Sequence, residues 1–277
     1  MNRKKSTSTI IVYIVLIIGS VVCLLPLVWL IRSSLMSTAQ IFSMPPEWIP
    51  KPFKFDNYKK AMTTLPFGKY FINTIIITLG NLFGVLLSSS VCAYSFARLK
   101  WPGRNKIFAL LLASMMLPSA VTLIPTFIGW RMLGKIDTFY PLIVPAWFGG
   151  GAFNIFLLRQ FYMNIPKELD EAALIDGANY FQIFTKIIVP LSKPPMIVVG
   201  LFTFMNTWND FYTPLIYISS EKKFPVALGL QAYQSAYSTQ WNYIMAAATV
   251  IVIPVIIVFL IGQRYFVEGI TMTGLKG

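Results

Sequence analysis

The 277-residue chain contains no histidine and only two cysteines. Without histidine there is no Ser-His-Asp triad, no imidazole general base and no histidine-ligated metal site. Cys23 and Cys92 both lie inside apolar runs, where no disulfide framework is expected. These absences disfavour most hydrolytic chemistry, and we predict that the chain has no catalytic residues and no metal site.

Charged residues are also scarce, at 12% of the chain against 56% hydrophobic residues. A soluble domain carries about 25% charged residues, so this chain has too few to cover a water-facing surface. The net charge of +13 raises the alternative of a nucleic-acid partner. However, Lys and Arg lie between apolar runs rather than in one basic patch, which is typical of the flanks of membrane spans. The composition predicts an integral protein of the lipid bilayer with no nucleic-acid partner.

Six apolar runs are long enough to cross a bilayer, which takes about 20 residues. The first run is longer than a signal-peptide core of about 7–15 residues, so we interpret it as an uncleaved span, with cleavage near Ala39 as the alternative. We predict an all-α fold with one transmembrane domain over residues 1–277. The expected spans are residues 10–31, 71–97, 107–130, 139–158, 196–218 and 243–262, with a polar loop at 159–193 and a tail at 263–277.

Two of these runs contain helix breakers, which lie at Pro118 and Pro125 in the third run and at Pro141, Pro145 and Gly149-Gly150-Gly151 in the fourth. Breakers at membrane depth are tolerated where a helix packs on protein or lines a cavity. The glycines are expected to permit a break or a close helix approach. Tryptophans near the span ends are expected in the interfacial belt, namely Trp48, Trp101, Trp147 and Trp241.

Six spans place both termini on the same side of the membrane. With the termini inside, 13 of the 23 Lys and Arg residues fall inside, which is a slight bias. The short segments Arg3–Lys5 and Arg98–Lys106 decide the orientation, because charge near span ends in short loops counts most. We therefore predict that both termini and the loop at 159–193 are cytoplasmic.

The loop at 159–193 begins with a pattern typical of a short helix. Pro166 suits a first helical turn, because its missing N–H would be unpaired there. Negative charge beside the positive end of the helix dipole comes from Glu168, Asp170 and Glu171. Gly177 can adopt positive φ, so the helix is expected to end there.

A second helix is predicted from about Tyr180 to Val189. Phe181, Phe184 and Ile188 have the spacing of one apolar face. Pro190 and Pro194 are expected to stop this helix before the next apolar run. The loop is therefore a short helix, a glycine elbow and an amphipathic helix between two membrane spans.

The pattern of this loop resembles the EAA loop of permease subunits of binding-protein-dependent ABC importers. The matching residues are Glu171, Ala172, Ala173, Gly177, Ile187 and Pro190, and Asp176 and Ala178 complete the Asp-Gly-Ala usual in the sugar branch. The resemblance covers nearly the whole chain, because the ending at 274–277 is similar to the Gly-x-Lys-Gly of the maltose-type second permease. It implies a type I importer fold, with six transmembrane helices and a cytoplasmic coupling loop, in a bacterial inner membrane.

The resemblance also implies partners. They are a second homologous permease, two cytoplasmic ATPases and an extracytoplasmic binding protein that delivers a sugar or oligosaccharide. This chain has no Gly-x-x-x-x-Gly-Lys-Ser/Thr, so it is expected not to be an enzyme and to hold no cofactor, with ATP and Mg²⁺ on the partner ATPases. The implied ATPase-coupling residues are Glu168, Glu171, Ala172, Ala173, Asp176, Gly177 and Pro190, and the implied ATPase-contacting tail residues are Gly274, Lys276 and Gly277.

Asp210 is the one carboxylate well inside an apolar run. An ionisable group at membrane depth faces the bundle interior by default and marks a pathway or a paired structural site. Amide and aromatic groups suited to a neutral sugar lie around it at Asn206, Trp208, Asn209 and Tyr212. The alternative is a hydrogen-bond network that joins helices.

Two other functions were weighed against the importer permease. A stand-alone secondary transporter or channel for a small polar solute needs charges at membrane depth for ion coupling, and beyond Asp210 there are almost none. A membrane-embedded enzyme is disfavoured by the absence of histidine and of clustered carboxylates.

Overall fold

The computed structural model describes the backbone of residues 3–234 and 239–274. Within these ranges every regular element is a helix. The extended pairing found there is an isolated antiparallel bridge between Gln234 and Thr239. The all-α fold predicted from the sequence is therefore confirmed.

Long helices alternate with single turns along the chain. In order they are α1 (Arg3–Ser34), α2 (Thr38–Ile41), α3 (Asp56–Thr64), α4 (Phe67–Arg98), α5 (Arg104–Ser114), α6 (Ser119–Met132), α7 (Tyr140–Ile143), α8 (Ala152–Asn164), α9 (Glu168–Ile175), α10 (Tyr180–Ile183), α11 (Val189–Leu191), α12 (Lys193–Trp208), α13 (Tyr212–Tyr217), α14 (Val226–Gly229) and α15 (Trp241–Gly274). Short 3-10 turns lie at Val144–Trp147, Glu221–Lys223 and Leu230–Tyr233, and a π turn lies at Phe184–Ile188.

Several segments are long and apolar enough to cross a membrane. Single crossings are offered by Thr9–Ser34, Phe67–Arg98, Tyr140–Asn164 and Trp241–Arg264, and a further one by Tyr180–Leu191 with Lys193–Trp208, which meet at 77°. The predicted span at 107–130 is divided between α5 and α6, because Pro118 lacks the N–H that a continuous helix needs. The chain is thus a multi-pass membrane protein, and its number of crossings stays a prediction.

The chain forms two compact units. One comprises Met1–Gly68 and Leu230–Pro254, and the other comprises Lys69–Gly229 and Val255–Gly277. The single transmembrane domain expected from the sequence stays a prediction.

In the first unit, buried polar groups join the end of α1 to α3 and α15. The Asn57 amide on α3 donates to the carbonyls of Ser34 (2.9 Å) and Met36 (2.8 Å). Its oxygen accepts a hydrogen bond from the Asn242 amide on α15 at 3.0 Å. Asn57 is buried, so these bonds satisfy groups that water cannot reach.

In the second unit, α4 presents small and polar residues to the broken segment that follows α6. Asn81 donates to the carbonyl of Leu142 and Ser88 donates to the carbonyl of Ala146, both at 2.9 Å. Irregular backbone at membrane depth is tolerated when protein groups bind it in this way. The backbone of the fourth run is therefore bonded to protein at its break, although Pro145 itself is exposed.

Close approach to α4 requires glycine. Gly150 has φ +65°, and a Cβ built there would lie 2.8 Å from the Val85 carbonyl oxygen. A Cβ on Gly84 would lie 2.7 Å from the Trp147 ring. The expected break at Gly149-Gly150-Gly151 is confirmed, whereas Trp147 packs against the middle of α4 and not at a span end as predicted. The sequence could not show this, because the contact joins residues far apart in the chain.

Asp137 ties two loops of the second unit together. Its carboxylate accepts hydrogen bonds from the backbone N–H groups of Ser219 (3.0 Å) and Ser220 (2.9 Å) and from the Lys223 ammonium (2.9 Å). Hydrogen bonds from Ser220, followed by that from Lys223, hold the pKa of Asp137 well below its usual range. The ionised carboxylate thus fixes the loop after α6 against the loop after α13.

We predict that Gly150→Ala destabilises the protein by about 2–4 kcal/mol, because it combines a left-handed backbone with overlap against α4. Gly129→Ala is the matched control, since Gly129 lies inside α6 with no atom near its missing Cβ. The control is expected to be neutral or slightly stabilising. Thermal unfolding of both variants in detergent tests this, and equal midpoints would contradict it.

Candidate functional site

The loop at 159–193, which the family resemblance predicts to be a coupling loop, contains a short helix, α9, whose end is defined by Gly177. Gly177 has φ +84°. Its N–H donates to the carbonyl of Leu174 at 3.1 Å, and the Ala178 N–H donates to the carbonyl of Ala173 at 2.9 Å. These two bonds form a Schellman motif, which satisfies carbonyls at a helix end. The predicted end of the first helix is confirmed.

The start of α9 differs slightly from the prediction. Pro166 lies two residues before Glu168, the first residue of the helix, and not in its first turn. The carbonyl of Lys167 accepts the N–H groups of Asp170 and Glu171 at 3.0 and 3.1 Å. Pro166 therefore ends the extended entry into the loop, and Lys167 is the residue that opens the helix.

A capping box that the sequence analysis missed starts the second helix. The Asn179 side chain accepts from the Gln182 N–H at 2.9 Å, and the Gln182 side chain accepts from the Asn179 N–H at 2.8 Å. Such reciprocal bonds satisfy two donors at a helix start. The elbow between the helices is therefore fixed on both sides, by a Schellman motif before it and a capping box after it.

The apolar face of the second helix was predicted wrongly at Phe181, which is 72% exposed. The buried face consists of Ile183, Phe184 and Ile188. The cause is the π turn at Phe184–Ile188, in which the i→i+5 pairing brings residues five apart onto one face. The turn lies just before Pro190, which has no N–H for a regular α-helical bond.

A buried arginine fixes α9 to the end of α4. The Arg98 side chain is 2% exposed, and its Nη1 lies 3.5 Å from the Asp170 carboxylate. Its Nη2 donates to the Ile165 carbonyl at 2.6 Å. The sequence alone predicts a role for Arg98 in membrane orientation and for Asp170 at the helix dipole. Their separation of 72 positions left no local signal for this contact.

The Arg98–Asp170 pair is buried but incompletely satisfied. Burial raises the pKa of Asp170, Arg98 opposes this rise, and the negative charge of Glu171 adds to it. Among the described residues, Arg98 Nε, Arg98 Nη1 and Asp170 Oδ1 have no hydrogen-bond partner, so the two groups are in ionic contact without a hydrogen bond between them. Removing one partner of a buried ion pair leaves the other charge uncompensated, which is costly.

The predicted ATPase-coupling residues divide between two surfaces. Ala173 packs against the hydrophobic core beside Ile183 and Phe184. The other predicted residues are exposed, namely Glu168, Glu171, Ala172, Asp176, Gly177 and Pro190. Large apolar residues that the sequence analysis did not select lie beside them, and Ile175 is 86% exposed. Of the predicted tail residues, Gly274 is the last residue of α15, whereas Lys276 and Gly277 lie outside the described residues.

A polar cavity of about 200 Å³ lies among α4, α12 and α13. Its polar lining consists of Thr74, Asn81, Asn206, Thr207, Asp210 and Thr213. Asp210 lies in the break between α12 and α13, and not inside a continuous helix as expected. Pro214 causes this break, because it cannot donate to the Asp210 carbonyl four residues earlier. The Asp210 side chain instead accepts from the Thr213 N–H at 3.0 Å.

The structure brings together two of the five predicted pathway residues, Asn206 and Asp210. Trp208 is buried, and its ring packs against those of Phe71 and Phe204 at 5.4 and 5.2 Å between centroids. Asn209 and Tyr212 are exposed away from the cavity lining. Asn81 and Thr74 complete the lining from α4, which sequence reasoning missed because they are distant in the chain.

A profile of the family described as binding-protein-dependent transport system inner membrane component matches residues 80–272. The diacetylchitobiose uptake system permease protein NgcG of Streptomyces coelicolor is 34% identical over 90% of this chain and 83% of its own length. The arabinooligosaccharides transport system permease protein AraQ of Bacillus subtilis is 32% identical over 93% and 92%. The sn-glycerol-3-phosphate transport system permease protein UgpE of Yersinia pestis is 32% identical over 98% of both chains.

A solved structure has the same fold. One chain of a bacterial ABC transporter involved in the import of the acidic polysaccharide alginate superposes with a TM-score of 0.83. The match covers 96% of this chain and 99% of that chain at 24% sequence identity. At this identity the likeness shows the fold alone.

We predict that Asp170→Asn loosens the coupling loop by about 3 kcal/mol, because it leaves the buried Arg98 without its counter-charge. Asp176→Asn is the control, since Asp176 is exposed. Limited trypsin digestion at Lys167 and Lys186 measures the opening of the loop. Faster cleavage is expected for Asp170→Asn only, and equal rates in both variants would contradict the prediction.

Proposed function

The chain belongs to the family of binding-protein-dependent transport system inner membrane components, and we propose that it is one permease of an ATP-driven ABC importer for a sugar or oligosaccharide. The observation that carries the proposal is the coupling loop, a short helix and a fixed elbow that expose apolar side chains between membrane segments. The relatives named as permeases of diacetylchitobiose and arabinooligosaccharide systems support the substrate class. A stand-alone transporter or channel is not favoured, because the relatives are components of multi-subunit uptake systems.

The exposed surface of α9 is proposed to dock on a cytoplasmic ATPase. Ile175 and Phe181 are large apolar side chains, yet both are largely exposed. Exposed apolar side chains close together are typical of a protein-binding surface. Glu171 and Asp176 offer carboxylates to basic groups of the partner, and Ala172 permits close backbone approach. The chain is a transport subunit and not an ATPase, so ATP and Mg²⁺ belong on two partner ATPases.

Movement of the ATPases would reach the membrane through two connections. Arg98 joins α9 to α4, and the helix at 180–191 leads into α12 through a 77° bend. A rigid loop with two outputs can convert ATPase closure into reorientation of the spans, provided that the docked contacts differ between the two states. This mechanism places the loop and both termini in the cytoplasm of a bacterial cell, in its inner membrane.

The polar cavity is proposed to contact the transported sugar. Hydroxyl and amide groups of Asn81, Asn206 and Thr213 match the donors and acceptors of a neutral sugar. Asp210 is the one charged residue of the lining described above, and its carboxylate disfavours an anionic substrate through like-charge repulsion. A second permease would complete the pathway, and an extracytoplasmic binding protein would deliver the sugar.

We predict that Ile175→Ser abolishes stable binding of the ATPase and reduces sugar uptake at least tenfold, because it removes the most exposed apolar side chain of α9. Ile49→Ser is the control, since Ile49 is also largely exposed but lies in the loop after α2. Copurification of the ATPase from membranes that contain equal amounts of each variant measures docking. Normal copurification and uptake with Ile175→Ser would exclude the proposed docking surface.

We predict that Asp210→Asn alters sugar preference or reduces uptake at least tenfold while the assembled complex survives. The amide keeps the size of the side chain and its acceptor for the Thr213 N–H, but removes the charge. Asn209→Ala is the control, because Asn209 lies outside the cavity lining. Uptake of neutral oligosaccharides is compared with the amount of purified complex. Loss of the complex itself would assign Asp210 to structure rather than to the substrate.

A further inference from the structure

The turn between α4 and α5 forms a second cavity, of about 330 Å³, which is open to the surface. It is lined by Lys100, Trp101, Gly103, Arg104, Asn105 and Lys106. None of these residues belongs to the coupling surface or to the polar cavity. The turn therefore has a concave basic surface that the transport mechanism does not use.

The cations of this turn, Lys100, Arg104 and Lys106, form no ion pair with any carboxylate among the described residues. A further cation lies beside α5, since the Arg159 guanidinium lies over the Phe108 ring at 4.1 Å. Concentrated like charge of this kind attracts an anion.

The walls of the cavity are fixed before any ligand binds. The Trp101 indole donates to the Ser95 hydroxyl at 3.1 Å, and its ring packs on Phe96 at 5.6 Å. Arg104 Nη1 donates to the Leu99 carbonyl at 2.9 Å. Gly103 precedes α5, and the Arg104 N–H donates to the Trp101 carbonyl at 3.4 Å, which closes the turn.

The surroundings indicate that the anion has an apolar tail. The turn ends a helix that is long and apolar enough to span a membrane, and a tryptophan there is typical of the membrane–water interface. Ile107 and Leu110 follow the cations on α5 and are exposed, at 49% and 70%. Lys106 and Leu110 are four residues apart and share one face of the helix. A basic surface thus continues directly into an apolar one.

We propose that this turn binds the headgroup phosphate of an anionic phospholipid. Lys100, Arg104 and Lys106 surround the phosphate, Trp101 forms the floor, and the acyl chains lie along Ile107 and Leu110. Basic pockets beside membrane helices recognise anionic headgroups through this combination of charge and apolar surface. The lipid would neutralise the cluster and hold the end of α4 at a constant depth in the membrane.

Native mass spectrometry of the complete transporter in neutral detergent tests the proposal. Phosphatidylglycerol is compared with phosphatidylcholine of the same chain length, for the wild type and for the triple variant Lys100→Gln, Arg104→Gln and Lys106→Gln. We expect the wild type to prefer phosphatidylglycerol and the triple variant to bind it at least tenfold more weakly. Equal binding of both lipids by the wild type, or undiminished binding by the variant, would overturn the proposal.

Two controls distinguish the effect of this turn's charge on lipid binding from the effects of total charge and of misfolding. The variant Lys54→Gln, Lys59→Gln and Lys60→Gln removes the same charge from another exposed region and should keep lipid binding. If the triple variant does not fold, Lys106→Gln alone replaces it in the test, because this side chain faces solvent. The single variant should weaken phosphatidylglycerol binding at least twofold. Binding of inorganic phosphate but not of phosphatidylglycerol would assign the cluster to a free anion. Loss of the ATPase from the triple variant in lipid-free detergent would assign it to ATPase binding. Either result would refute the lipid site.

Discussion

The buried guanidinium of Arg98 is the contact on which the coupling loop depends. A positive charge removed from water needs a counter-charge and hydrogen-bond acceptors close by. Asp170 supplies the charge and the Ile165 carbonyl supplies an acceptor, and both belong to the loop. The loop therefore cannot leave the end of α4 without depriving the buried Arg98 guanidinium of its counter-charge. This constraint fixes α9 to the end of α4, as the proposed coupling of the two helices requires.

A second constraint acts on the same helix at membrane depth. Carbonyl groups released by the break after α7 need donors, because lipid offers none. Asn81 and Ser88 on α4 provide them, and the lack of a side chain at Gly84 lets the broken segment approach. Asn81 also lines the polar cavity. One helix thus supports the irregular segment, one wall of the cavity and the anchor of the coupling loop.

Local chemistry was predictable from the sequence, whereas contacts between distant residues were not. Gly177 ends α9 as expected, because a helix end needs a residue that accepts positive φ and only nearby backbone groups are involved. Phe181 was placed on the wrong face, since the regular 3.6-residue period does not hold through the π turn before Pro190. The break at Asp210 was missed although Pro214 signals it, because the apolar run was treated as one continuous span. The partnership of Arg98 with Asp170 had no local signal at all.

The placement of the cavity follows from these two constraints together. Thr74 and Asn81 belong to α4, and Asn206, Asp210 and Thr213 belong to the segment that continues from the second helix of the loop. Each wall is therefore connected to one end of the coupling loop, α4 through Arg98 and α12 through the bend after Leu191. A displacement of the loop that moves the two connections unequally changes the separation of the walls. In the proposed mechanism the break at Asp210 would allow such a change, because α12 and α13 are not joined by a continuous ladder of helical hydrogen bonds. A loop fixed at its elbow would then transmit the displacement rather than absorb it.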